Sequence, residues 1–163
     1  MILLSLGANL PSAVGDPAAT LRFALSRLAA LDIVPIATSN FYVTKAWPDP
    51  ADPEFVNAVA EIRTSLDPAA LLKQFHAIEE QLGRRRSASN APRTLDLDLL
   101  DYDGRIDAGP PELPHPRMTN RGFVLIPLAD VAPAWRHPVT NQTVDELISN
   151  LEPDRSHIRL LTE

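Results

Sequence analysis

The 163-residue chain contains no cysteine, which excludes disulfides, thiolate chemistry and Cys-ligated zinc. Lysine is almost missing too: of 15 basic residues, only Lys45 and Lys73 are lysines. No run approaches the roughly 18 consecutive apolar residues of a membrane-spanning helix. The opening segment MILLSLGANL has no basic flank of the kind a secretory signal carries. The expectation is a cytoplasmic protein with no membrane partner. Positive charge is in deficit, with 21 acidic residues giving a formal charge of −6. That opposes a nucleic-acid partner, which needs a basic surface to displace counterions. Internal repeats, low-complexity tracts and compositional breaks are also missing.

What is present is ordinary for a globular chain, with 45% hydrophobic and 22% charged residues. At about 150 residues per domain, the length predicts a single domain over residues 1–163. Nothing in it requires more than a monomer. Proline is the outlier: 16 residues, about twice the usual share, clustered at 47–53 and 110–116, as in long ordered loops. Arginine is uneven as well. Residues 84, 85, 86, 93, 105, 117 and 121 are all Arg, and its planar fork of donors suits phosphate oxygens better than the point charge of lysine does. A local Arg cluster on an acidic chain points to a small, highly anionic ligand.

Residues 2–6 form a short apolar run ending at Gly7, as in a buried strand. Asp16-Pro17 is an N-cap followed by a first-turn proline, and Leu21, Leu25 and Leu28 predict a helix over 17–31. Residues 33–44, rich in β-branched and aromatic side chains, predict a strand, as do 55–66. Asp67-Pro68 repeats the helix-start device, an apolar stripe runs from Leu71 to Leu82, and Gly83 is a natural stop. A strand over 95–102 precedes the turn dipeptide Asp103-Gly104. A proline-rich loop, a helical pattern at 121–131 and a capping box at Thr143-x-x-Glu146 follow. The order strand, helix, strand, strand, helix, strand predicts an α+β chain. The expected fold is a ferredoxin-like sandwich, with helices packed on one face of an antiparallel sheet.

The most informative segment is Pro92-Arg93-Thr94-Leu95-Asp96-Leu97-Asp98-Leu99-Leu100. Strand residues two apart share a face, so Asp96 and Asp98 project together while Leu95, Leu97 and Leu99 enter the core. Aspartate is disfavoured in strands, and paired carboxylates repel unless a cation lies between them. Their hard oxygens suit Mg²⁺, which binds one or two carboxylates plus substrate phosphates. A second constellation, Pro114-His115-Pro116-Arg117 through Arg121-Gly122-Phe123, offers His115 and Arg121 as phosphate donors; a loop histidine and a surface arginine account for the same residues. A third, Phe55-Val56-Asn57, offers a ring and an amide to a flat heterocycle, or equally a core Phe and a turn Asn.

Taken in order, Gly7-Ala8-Asn9-Leu10, Ser39 through Thr44, Phe55-Val56-Asn57-Ala58, Ile78-Glu79, Leu82-Gly83-Arg84 and the two later segments resemble the 6-hydroxymethyl-7,8-dihydropterin pyrophosphokinase family over nearly the whole chain. The resemblance implies an α/β sandwich and transfer of an intact pyrophosphate from ATP to the pterin hydroxymethyl group, releasing AMP, in folate biosynthesis. It implies two Mg²⁺ ions held by Asp96 and Asp98, with Arg84, Arg93, His115 and Arg121 cradling the triphosphate. Arg84 and Arg93 join the two aspartates as expected catalytic groups, and Arg86 and Glu79 are placed near the nucleotide. Phe55 and Phe123 would sandwich the pterin, Asn57 would bond its amide edge, and Thr44 and backbone groups through Ala46 and Trp47 would assist.

One departure stands out. Many family members carry Arg-Trp-Gly just before Pro-Arg-Thr-Leu-Asp, whereas residues 87–91 here are shorter by one and lack that Arg and Trp. Closure over the substrates is therefore expected to be sealed differently. Two other readings share the residues: a palm-type two-metal nucleotidyltransferase, which would release pyrophosphate, and a non-catalytic ligand-binding module of the same fold.

Overall fold

A computed structural model describes residues 1–85, 91–151 and 157–162. Strand β1 (Ile2–Ala8) leads into helix α1 (Pro17–Ala29), whose N-cap Asp16 accepts from the Ala19 N–H at 2.8 Å with Pro17 in the first turn. The chain returns as β2 (Val34–Thr38), β3 (Tyr42–Thr44) and the long β4 (Phe55–Arg63). Helix α2 (Pro68–Gln81) repeats the device, Asp67 accepting from the Ala70 N–H at 2.8 Å. Then come β5 (Asp96–Tyr102), a small hairpin of β6 (Asp107–Ala108) and β7 (Glu112–Leu113), and helices α3 (Gly122–Val131) and α4 (Val144–Ser149), with β8 (Ile158–Leu160) last.

The main sheet runs β5-β1-β4-β3-β8, with β2 beside β3 on the same flank of β4. Every named pairing in it is antiparallel, and with β2 and β3 counted as one interrupted strand, β1 through β5 have the split βαβ order expected. Four local readings change. The predicted helix over 17–31 stops at Ala29 and the predicted strand over 55–66 at Arg63. The predicted strand over 33–44 breaks at residues 39–41. There Ser39 Oγ, instead of a backbone carbonyl, takes the Val59 N–H at 3.0 Å, and Asp130 of α3 receives the Asn40 backbone and side-chain N–H groups. Asp103-Gly104 does form a left-handed turn (φ 52° and 69°) closed by Arg105 N–H to Tyr102 C=O, but the strand after it pairs with β7 instead of returning along β5.

The larger correction concerns the layers. Helices on one face were expected; the sheet is covered on both. Ile2, Leu4, Leu6 and Ala8 of β1, with alternate residues of β4 and β5, meet Leu21, Leu28, Leu71 and Phe75 of α1 and α2. Leu3, Val59 and Leu100 point the other way and are buried under Val124, Leu125 and Leu128 of α3 and Val144 and Leu147 of α4. The second layer covers only the end of that face near Leu3 and Val59. Toward Gly7, Asn57 and Asp96 the face is open to a cleft.

Both layers should belong to one cooperative unit. Leu28→Ala and Leu128→Ala, each at a fully buried site, are expected to lower stability by about 2–5 kcal/mol with a single urea transition. A separate early transition in Leu128→Ala would show that the second layer unfolds alone.

Candidate active site

Sheet register builds the floor of the cleft. Gly7 of β1 lies between Asn57 of β4 and Asp96 of β5, and Ser5 lies opposite Asp98. Because side chains alternate, Asn57, Gly7 and Asp96 form one cross-strand row on the open face. Glycine keeps its centre clear: a Cβ there would lie 3.0 Å from Asn57 Oδ1, so the amide would have to give way by a few tenths of an ångström. The cleft above this floor has a volume of about 810 Å³.

At the carboxylate end, β5 is an edge strand, and its Leu97 N–H is accepted by Glu79 Oε1 of α2 at 2.8 Å. The same oxygen accepts from Arg84 Nη1 at 2.5 Å, and Arg84 also donates to Asp96 Oδ1 at 2.5 Å. The end of α2 sets this up. Gly83, at φ +83°, lets Arg84 N–H return to the Glu79 carbonyl and Gly83 N–H to the Glu80 carbonyl, a Schellman closure that places Arg84 over Glu79. The other Asp96 oxygen accepts from Arg93 Nη1 at 2.7 Å. Arg93 is itself fixed by buried Asn9, whose Oδ1 takes the Arg93 N–H at 2.8 Å and whose own N–H donates to the Arg93 carbonyl.

Asp98 has looser company. His115 Nε2 is 3.8 Å and Arg121 Nη1 3.6 Å from its Oδ2, both beyond hydrogen-bonding range. Burial and the charge of Asp96 push the Asp98 carboxyl above the usual carboxylate range, against the pull of His115, Arg121 and Arg84. Burial lowers His115, and the Arg117 N–H donates to its Nδ1 at 3.1 Å, so the neutral ring carries its proton on Nε2, facing Asp98. Burial and the neighbouring Arg117 also lower Arg121, more than Asp98 restores. For Arg84, burial works against the charge, but Asp96 and Glu79 outweigh it and hold the guanidinium above its ordinary value.

At the other end, Phe55 begins β4 and Phe123 lies in the first turn of α3; both line the cleft. Each ring has a guanidinium over it, Arg93 at 5.9 Å from the Phe55 centroid and Arg121 at 5.4 Å from that of Phe123. Asn57 Nδ2 donates to Thr44 Oγ1 at 2.9 Å, leaving the Asn57 carbonyl oxygen toward Gly7. An aromatic, amide-lined half therefore adjoins a half carrying paired carboxylates and several cations.

Residues 3–133 match the family of 7,8-dihydro-6-hydroxymethylpterin-pyrophosphokinase (HPPK). The chain belongs to this family. Proteins named 2-amino-4-hydroxy-6-hydroxymethyldihydropteridine pyrophosphokinase are among its relatives. That of Haemophilus influenzae is 37% identical over 96% of each chain, and that of Methylorubrum extorquens 39% identical over 92% of each. That of Synechocystis sp. is 36% identical, over 92% of this chain and 75% of its own. Among solved structures, wild-type Plasmodium falciparum HPPK-DHPS superposes on 91% of this chain with a TM-score of 0.65 at 15% identity. Its A437G/K540E form, with pterin and p-hydroxybenzoate, covers 98% with a TM-score of 0.71 at 14% identity. This chain spans 44% and 46% of those two solved chains, and at such identity they show the fold alone.

Of the residues singled out from sequence, Asp96, Asp98, Arg84, Arg93, Glu79, Arg121, Thr44, Trp47, Phe55, Asn57 and Phe123 line this one cleft. His115 reaches it through its approach to Asp98. Arg86 and residues 87–90 of the shortened 87–91 segment lie outside the described residues, while Ala91 lines the cleft. The sequence carries no signal for Ser5 and shows Arg85 and Arg117 only as charge. Gly7 and Asn9 stand in it as a strand end and a motif, with no hint that Gly7 separates Asn57 from Asp96 or that Asn9 holds Arg93.

The buried Glu79 carboxyl is raised to about 7, by burial first, against the Leu97 N–H and Arg84. A carboxyl whose pKa rises on folding makes the native state bind more protons than the unfolded state, so stability falls as pH rises from about 4.5 to about 7. Glu79→Gln removes this dependence. Urea unfolding should show the variant gaining on the unaltered protein between pH 5 and pH 8, and a pH-independent difference would contradict the assignment.

Proposed function

We propose that this cleft binds ATP and 6-hydroxymethyl-7,8-dihydropterin side by side and transfers the terminal diphosphate of ATP to the pterin hydroxymethyl oxygen, releasing AMP. The observation that carries the reading is the shared floor: Asn57 and Asp96 flank Gly7 in one row, so a flat heterocycle and a polyphosphate bound at the two ends meet.

The carboxylates fit the expected metal. Asp96 and Asp98 offer hard oxygens on one face, and among the described residues no group of three or more His, Cys, Asp or Glu side chains forms a self-sufficient site. Such an arrangement suits Mg²⁺, which completes its shell with water and phosphate oxygens. Asp96 and Asp98 would hold two such ions, which when bound neutralise phosphate charge.

The protein's own groups do the rest. Phe55 and Phe123 stack on the heterocycle, while Asn57, steadied by Thr44, bonds its amide edge. Arg84 and Arg93, now paired with Asp96, are within reach of phosphate as well, and a guanidinium exchanges one oxyanion for another without losing geometry. Arg121, cationic against burial and the repulsion of Arg117, gains most from an incoming anion. His115 presents an uncharged Nε2–H donor. The pterin hydroxyl oxygen attacks the β-phosphorus and its proton is released to solvent, the bond from that phosphorus to the α,β-bridging oxygen breaks with its electron pair going to that oxygen, and AMP departs. Catalysis of this kind is mainly positioning and electrostatic stabilisation.

With ATP, Mg²⁺ and the pterin, equal amounts of AMP and pterin diphosphate should form, resolved by chromatography. Asp98→Ala should lower turnover by about 100-fold or more, the scale of losing a preorganised electrostatic group. ADP as product would mean simple phosphoryl transfer, and pyrophosphate would mean nucleotidyl transfer; either would refute the reading.

A further inference from the structure

Thr44 and Phe55 are cross-strand neighbours in the aromatic half, and strand register extends their row by one position. Ile158 of β8 lies opposite Thr44, as Thr44 lies opposite Phe55. Paired residues project from the same face of a sheet, so Ile158 rises beside them on the face that carries the cleft. There it meets the start of α3. A Cβ built on Gly122 would lie 2.8 Å from Ile158 Cδ1, so only a glycine lets the backbone between Arg121 and Phe123 rest against that methyl group. The far part of α3 has its own anchor, since Asp130 accepts from the Tyr42 hydroxyl at 2.9 Å as well as from Asn40. Its first turn has no such tie, and Arg121 at the N-cap supplies no side-chain cap. Arg159, the next residue of β8, pairs at 2.7 Å with Glu54, immediately ahead of Phe55. β8 thus touches the three segments that bring Thr44, Phe55 and Phe123 to the cleft, although none of its own residues lines it.

We propose that Ile158 is a positioning residue for the heterocycle half of the cleft. Its side chain spans from Thr44 on the sheet to Gly122 on the helix and sets the separation of Phe55 on β4 from Phe123 on α3. This rests on the pyrophosphokinase reading of the cleft. Asp96 and Asp98 stand on β5 at the opposite edge of the sheet, with Arg84 beside them. Arg121 is the one nucleotide group adjoining Gly122. Loosening β8 therefore weakens pterin binding well beyond any effect on ATP.

The test pairs a mutant cycle with hydrogen exchange. In Ile158→Ala the pterin KM should rise about tenfold, the scale of truncating a partly buried aliphatic side chain, with the ATP KM within about twofold of its starting value. Gly122→Ala places a methyl group where Ile158 Cδ1 lies, and it too should raise the pterin KM. Ile158→Val removes that Cδ1: alone it should cost about twofold, yet combined with Gly122→Ala it should recover most of that variant's loss, a reversal of sign that marks direct coupling. In the unaltered protein, adding pterin to the complex with a non-hydrolysable ATP analogue should slow amide exchange in β8, because coupling between two sites is reciprocal. An unchanged pterin KM in Ile158→Ala, equal rises in both KM values, a Gly122→Ala loss that Ile158→Val leaves in place, or exchange in β8 indifferent to pterin would each overturn the proposal, while AMP formation by the unaltered protein leaves the reading of the cleft intact. Failure of the unaltered protein to form AMP would overturn both.

Discussion

Two carboxylates two residues apart on one strand must project from the same face, and their mutual repulsion must be answered by positive charge. That constraint organises this molecule. Asp96 is answered fully by Arg84 and Arg93, one guanidinium on each oxygen. Asp98 is answered only from a distance, by the Arg121 guanidinium and the uncharged Nε2–H of His115, and burial together with Asp96 keeps its carboxyl raised. The unequal treatment leaves a place where further cationic charge is welcome, beside Arg121, a cation that burial has left wanting an anion. A metal–polyphosphate ligand satisfies both needs together, which neither a bare cation nor a bare phosphate does.

The fold exists, in functional terms, to hold that geometry at the edge of a sheet. An edge strand exposes unpaired N–H groups, and β5 would carry its aspartates on a loose rail were Glu79 not bound to the Leu97 N–H between them. Burying a carboxylate there is costly, and the raised Glu79 pKa measures that cost. The same Glu79 oxygen steadies Arg84, coupling the helix end to the strand edge. On the opposite flank of β1, Gly7 gives up its side chain so that the amide of Asn57 keeps its position. One sheet face is given wholly to the core; the other is divided between a second helical layer and the cleft.

Much of this was legible in local chemistry. The Asp-Pro helix starts at 16–17 and 67–68, the Gly83 stop, the Thr143–Glu146 capping box and the alternation of Asp and Leu in β5 are short-range signals, and the structure forms each. What was not legible depends on residues far apart in the chain. Nothing in the β-branched run over 33–44 shows that Asp130 will anchor Asn40 and split it. The apolar 121–131 segment does not say which face of the sheet it will cover. Gly7 and Asn9 gain meaning only when register and loop closure bring Asp96, Asn57 and Arg93 beside them. The aromatic and cationic residues were assigned through family resemblance more than through pattern, and the structure gathers the described ones around a single cleft.

The central claim is that Asp96 and Asp98 form a site for metal bound jointly with polyphosphate. Calorimetric titration with α,β-methylene-ATP, in saturating Mg²⁺ and again in EDTA, tests it without needing turnover. The account predicts affinity that is at least about tenfold tighter with Mg²⁺, a difference that disappears when both Asp96 and Asp98 are replaced by Asn. Equal affinity with and without the metal, or an undiminished Mg²⁺ effect in the double variant, would contradict it.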